Sequence, residues 1–466
     1  MAPKAWQEIS PETLALSSYM ADAPYRPLPD DVVEIAKHHF LDTIAAIVSG
    51  SRLPPGVLAL RHASVSLGRA EAFIIGSDII TGAAAAAMAN GMCAHSDETD
   101  DSHYTSRTHP GAAIVPAVLA TAQKLGCDGT SVIRALVLGY DVCTRVVHAL
   151  DMRGFARLNR SCHGFGGTFG AGAAAGALHC FDAERSRFLL SYCAQMASGC
   201  GAYMHDSQHV EKAYVYAGKS AECGVSAALM VASGFTGAPD VFSGDRNFLD
   251  AYAAHPDRTA LVADLGAVFE IMRTNLKKWC VGSPIQAPLD GLEAIVKEQG
   301  ISISQIESID VQLAPANAAT VDGRPMSNVN LQHLFGVMLA DGGLTFDSSH
   351  DQARMGDPSV LALSRRVRII KTAELETARP PRQSIVSLRL TDGREFSRRI
   401  VAVRGSADNR MSREEVEAKA LDLMAPILGV ARAANVARLA LAIERPDSLV
   451  DLFANLRACG PLDAAT

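Results

Sequence analysis

Residues 81–92 read Thr81-Gly82-Ala83-Ala84-Ala85-Ala86-Ala87-Met88-Ala89-Asn90-Gly91-Met92. Alanine favours a helix, and small residues on every face let neighbouring helix backbones approach closely. Gly166–Leu178 has the same character, with Gly and Ala filling most positions. These two stretches predict a large domain of tightly packed helices. The flanking text agrees. Pro29-Asp30-Asp31 opens a helix whose Val32, Val33, Ile35, Ala36, Phe40, Leu41, Ile44 and Ile47 recur at helical spacing, and Gly50 stops it. A helix capped by Thr130 or Ser131 is expected through Val132, Leu136, Tyr140 and Val146, and Glu184–Met196 and Gly218–Val231 follow. Convincing period-two alternation is absent up to about residue 265.

The text changes after that. Gln305–Leu313 is β-branched and partly alternating. Pro358–Arg365 reads as a helix leading into a strand at Val367–Ile370. Ser384–Leu390 alternates, Asp392-Gly393 turns, and Glu395–Val401 returns, which predicts a hairpin. Ser412 and Glu415 then form a capping box ahead of a helix through Val416, Ala420, Leu423 and Ile427. The expected fold is mainly α with an α+β insertion. Residues 1–265 and 404–466 make an all-helical domain, and residues 266–403 make the smaller α+β domain.

Composition narrows the function. The chain has 466 residues, of which 48% are hydrophobic and 20% charged, enough for a large core and too apolar for disorder. With 43 Lys+Arg against 50 Asp+Glu, the net charge is −7, so neither nucleic acid nor another polyanion is the expected partner. Aromatics, at 6%, are too few for base-stacking platforms. Apolar stretches are broken before reaching membrane-spanning length, so no membrane partner is expected. Met1–Glu8 lacks the basic and apolar regions of a leader. Cysteines 93, 127, 143, 162, 180, 193, 200, 223, 280 and 459 form no C-x-x-C pair and read as reduced thiols. The expectation is a soluble cytoplasmic enzyme.

The densest polar text is His95-Ser96-Asp97-Glu98-Thr99-Asp100-Asp101-Ser102-His103, followed by Thr108-His109-Pro110-Gly111. Four acids and three histidines between two apolar helices admit three readings. They are a metal-free acid–base site, a metal site, or a loop whose acids cap the next helix. No H-E-x-x-H or other recognised ligand spacing supports the metal. Cys162-His163-Gly164-Phe165-Gly166-Gly167 resembles a phosphate loop only superficially, because no strand precedes it. Its glycines suit close packing, and His163 falls at a helix N-terminus, where the dipole favours an anion. Gly218-Lys219-Ser220 fails as a P-loop because Ala213 stands where a glycine is needed. Lys212 is a candidate cation for a carboxylate or a plain surface lysine. Arg273-Thr274-Asn275-Leu276-Lys277-Lys278 suits anion capture or a solvated face.

At these residues the sequence resembles the MmgE/PrpD family over essentially its whole length. The resemblance rests on H-x-x-[DE]-x-D-D-[ST] with a later His-Pro-Gly, the His before the glycine-rich helix, the Lys before G-x-[SA]-A-x-x-G-V, and the junction Lys. It implies an all-helical domain, an α+β lid, a homodimer, and proton abstraction beside a carboxylate of a small di- or tricarboxylate. No cofactor and no metal are implied. His109, His163, Lys212 and Lys277 fall on active-site positions, Glu98 where the family usually has Asp, and Ser102 where it often has Thr. Two departures stand out: Lys212 to Gly218 is one residue longer than expected, and His333 stands where a Tyr is common. Within the family the resemblance points to epimerisation of iminodisuccinate, with dehydration or decarboxylation of a tricarboxylate as the alternative. In that scheme His109 and His163 supply base and acid, with Glu98, Asp100 and Asp101 orienting them. Lys212, Lys277 and Arg273 neutralise carboxylates, and Ser102 and His333 touch substrate.

Overall fold

Small residues decide how close the central helices come. The computed structural model describes residues 8–457, so Met1–Gln7 of the leader reading and Cys459 lie outside the described residues. Two compact units emerge, one from residues up to Thr274 together with those from Glu417 on, the other from Asn275–Val416. The first carries helices α1 (Pro11–Asp22), α2 (Asp30–Gly50), α3 (Pro54–Val65), α4 (Ala83–Ala94), α5 (Pro110–Leu125) and α6 (Gly129–Ala149). There follow α7 (Met152–Arg157), α8 (Cys162–Leu178), α9 (Ala183–Met196), α10 (Val210–Ala213) and α11 (Lys219–Ala232). Helix α8 is the hub, packed against α5, α6, α9 and α11 and buried from His163 to Leu178. A Cβ on Gly170 would lie 2.7 Å from the Gly139 carbonyl oxygen of α6, and one on Gly224 of α11 would run into the backbone N of Gly172. Larger residues there would push the helices apart and lose the dense contact that holds them.

Several helix ends differ from expectation. Helix α6 starts at Gly129 under the Asp128 side chain, which accepts from the Ser131 N–H at 2.7 Å. An aspartate one residue outside the helix outcompetes Thr130 and Ser131 because its carboxylate reaches the exposed amides. The helix expected from Gly218 begins at Val210 and passes through a π turn at Tyr214–Gly218. The first unit is also not purely helical, since Ala72–Phe73 pairs antiparallel with Ile80–Thr81. In the C-terminal segment, buried Lys419 donates to Asp42 at 2.6 Å and to the Thr99 carbonyl at 3.1 Å, fixing one side of the 95–109 loop.

The second unit holds a four-stranded sheet in the order Val367–Lys371, Ile306–Leu313, Ser384–Leu390, Glu395–Ile400. The first pair is parallel and the others antiparallel. Alternation in Ser384–Leu390 sends Val386, Leu388 and Leu390 into a core with Leu289, Leu292 and Phe335. The hairpin expected around Asp392-Gly393 forms, with Leu388 opposite Phe396. The chain breaks fall at 274/275 and 416/417, where 265/266 and 403/404 were expected. Glu270 explains the first shift, because its N–H donates to Asp141 of α6 at 2.7 Å and keeps the chain in the first unit. The second falls inside a helix, Arg413–Leu428, which the Ser412–Glu415 capping box starts as expected.

Candidate active site

Helix α4 ends at Ala94, and the chain then has no backbone period to aim its side chains. What aims them is hydrogen bonding. His95 donates from Nδ1 to Asp100 Oδ2 at 2.9 Å, and His109 donates from Nδ1 to the same oxygen at 3.1 Å. An ionised carboxylate only accepts, so both rings hold a proton at Nδ1. Asp100 is fully buried, and so is His95, whose Nε2 has no hydrogen-bond partner among the described residues. His109 sits immediately before Pro110, the first residue of α5.

The next carboxylate along does something else. Asp101 Oδ2 accepts from His39 at 2.8 Å and from Tyr140 OH at 2.6 Å, and Oδ1 accepts from the Gly111 N–H at 3.0 Å. Its oxygens tie α2 and α6 to the start of α5. Asp101 was expected to orient His109 or His163; the hydrogen bond to His109 comes from Asp100. Side chains of adjacent residues in an extended stretch point to opposite sides.

Helix α8 delivers His163 in its first turn, with Ser161 as its cap. The ring lies 5.3 Å from that of His109, centroid to centroid. The π turn delivers Tyr216, whose ring lies between His163 at 3.5 Å and His95 at 4.5 Å, nearly parallel to both. A π turn inserts one extra residue into a helix and is frequent at functional sites. Lys212, one turn earlier, pairs with Glu98 and holds its ammonium 5.1 Å from the Tyr216 ring. His209 closes the group, 5.2 Å from His95, with its backbone in the left-handed region at φ 64°.

The electrostatics act on two of these rings and on the phenol. Burial, then the neighbouring His109, His95 and Lys212, hold His163 well below the usual histidine range. Burial and then Lys212 bring His209 down to about 3. Burial, with Tyr203 next, pushes the Tyr216 phenol well above its ordinary value, so it stays protonated. Cys162 is no thiolate nucleophile: burial pushes its thiol up to about 12, and Sγ donates to the Arg107 carbonyl at 3.2 Å.

Of the residues expected from sequence, His109, His163, Lys212, Glu98 and Asp100 meet in this one cluster. Ser102 is buried, with an Oγ that has no hydrogen-bond partner among the described residues. Arg273, whose side chain is 57% exposed, is taken up by Glu270 at 3.3 Å rather than by the histidines. Lys277 and His333 belong to the second unit, both buried, and burial holds His333 below its usual range. His95, Tyr216 and His209 were not singled out individually. His95 stood in the quoted motif, whereas nothing in the text around Tyr216 announces a π turn. A metal has one place to go among the described residues: His95, Asp100 and His109 offer ligand atoms within 4.8 Å of one another. In that trio, His95 Nδ1 and His109 Nδ1 are already engaged by Asp100 Oδ2.

Residues 14–260 match the MmgE/PrpD N-terminal domain, and residues 279–445 match the MmgE/PrpD C-terminal domain. The chain is 24% identical over 374 residues to a cis-aconitate decarboxylase of Aspergillus terreus, covering 73% of this chain and 74% of that one. It is 28% identical over 246 residues to a cis-aconitate decarboxylase-like protein, oryM, of Aspergillus oryzae. That alignment covers 51% of this chain and about half, 49%, of the relative.

Proposed function

The chain belongs to the MmgE/PrpD family, and from that premise we propose that it is a lyase that decarboxylates a small unsaturated tricarboxylate of the cis-aconitate kind. The similarity to cis-aconitate decarboxylase carries the choice of reaction, and the geometry supplies the groups it needs. His109, its tautomer set by Asp100, and neutral His163 lie 5.3 Å apart beside the Lys212 ammonium. The bond from carbon to one carboxylate breaks and carbon dioxide leaves. Its electron pair moves into the adjacent π system, and a proton joins a carbon next to a remaining carboxylate. Charge builds on that carboxylate as the bond breaks, so a preorganised cation beside it lowers the barrier. Lys212 supplies the cation, with Glu98 holding it in place. His109 Nε2 takes a proton from solvent and passes it to the carbon, and His163, which stays uncharged, donates a hydrogen bond from its ring N–H to a substrate carboxylate.

The expectation of an iminodisuccinate epimerase shares the proton transfer but not the bond cleavage. Two imidazoles 5.3 Å apart suit it as well, one taking a proton and the other returning it. The names of the relatives favour decarboxylation. The test is incubation of the purified chain in D₂O with cis-aconitate, 2-methylcitrate and the iminodisuccinate stereoisomers, followed by NMR and mass. Carbon dioxide released from cis-aconitate, with one deuterium in the product, is expected. A new iminodisuccinate stereoisomer without mass loss would return the reading to epimerisation. Loss of water from 2-methylcitrate would make the chain a dehydratase.

A further inference from the structure

Beside the π turn lies a cavity of about 900 Å³, with α3, α4, α10 and α11 contributing to its walls. Met88 and Met92 of α4 make an apolar wall, and Tyr214 faces it from the turn that also carries Tyr216. Asp206, Glu211 and Glu222 contribute three carboxylates, and two histidines are the other titratable lining groups besides Tyr214. No lysine or arginine lines it.

The Glu222 carboxylate decides the chemistry. It is half-buried, and no hydrogen bond or ion pair engages it among the described residues. The nearby Lys219 is turned away, donating to the Met196 and Ser198 carbonyls at 3.2 Å each and to Ser198 Oγ at 2.6 Å. Burial raises the Glu222 carboxyl above its ordinary range, against the pull of His62, which also lines the cavity, and of Lys219. A half-buried carboxylate without a hydrogen bond is costly, and a bound cation would offset that cost. Tyr214 lines the cavity as an aromatic neighbour for such a cation, and the methionines fit an apolar body of variable shape. Small-molecule sites are concave, mostly apolar and carry a few converging polar groups, at volumes of about 300–1,000 Å³. We infer that this cavity binds an organic ammonium ion with an apolar body, seated on Glu222 and Tyr214. The carboxylate lining excludes the anionic substrate class proposed for the histidine cluster, so the two sites take different ligands.

Isothermal calorimetry with phenethylammonium, and with 3-phenylpropionate as its anionic counterpart, tests the site without any turnover measurement. The result is therefore independent of the decarboxylase reading. Saturable binding of the ammonium below 10 mM is expected, and none of the carboxylate. Glu222→Gln should weaken binding at least tenfold. Ala202→Phe, at an exposed position of the lining, should abolish it while leaving the melting temperature unchanged. The inference is overturned by equal binding of the anion, by no saturable binding of the ammonium, or by ammonium binding that survives both substitutions.

Discussion

At the scale of single residues, Asp100 governs the site, because one of its oxygens sets the tautomer of two imidazoles. His109→Asn removes the Nε2 that handles the proton. It should lower kcat by about 10²–10⁴-fold, the usual worth of a positioned acid or base, and leave KM within a few-fold. Steady-state kinetics on cis-aconitate checks this. His209 makes a prediction about stability. Its pKa falls from 6.5 to about 3 on folding, so as pH drops the unfolded chain takes up the proton first. The stability it contributes is full above pH 6.5 and is lost as pH falls from there towards about 3. One pH unit below 6.5 costs about 1.4 kcal/mol for such a group. His209→Asn keeps a residue that tolerates the left-handed backbone. Urea melts at pH 7.5 and 5.5 should show a difference smaller by about 1 kcal/mol in the variant. His163, also held low, contributes in the same direction in both proteins.

At the scale of elements, the site depends on how closely α8 meets its neighbours. Gly224→Ala places a methyl group against the Gly172 backbone, which cannot rotate away. Overpacking of this kind should cost about 1–3 kcal/mol and lower the melting temperature. The control is Gly343→Ala, where nothing lies within 4 Å and φ is not in the left-handed region. It should be neutral or stabilise by up to about 1 kcal/mol through the unfolded chain. The helices and the hairpin were legible because each repeats a period: 3.6 in Asp30–Gly50 and two in Ser384–Leu390. The π turn at Tyr214–Gly218 was not. It interrupts a helix by a single residue, and no residue type there demands it.

At the scale of the whole molecule, residues from three stretches that are distant in sequence, the 95–109 loop, the start of α8 and the π turn, share one cluster. The sequence by itself determined the helical domain, the α+β insertion and the candidates His109, His163, Lys212, Glu98 and Asp100. Composition, period and an ordered set of short motifs are all local in the chain. Only the tertiary structure decided that Asp100 serves the histidines while Asp101 serves α2, α5 and α6, that Arg273 belongs to Glu270, and that Tyr216 lies between His95 and His163. Those choices depend on which way a side chain points in a loop or an irregular turn. Without a repeating backbone geometry, only packing and hydrogen-bond partners set that direction.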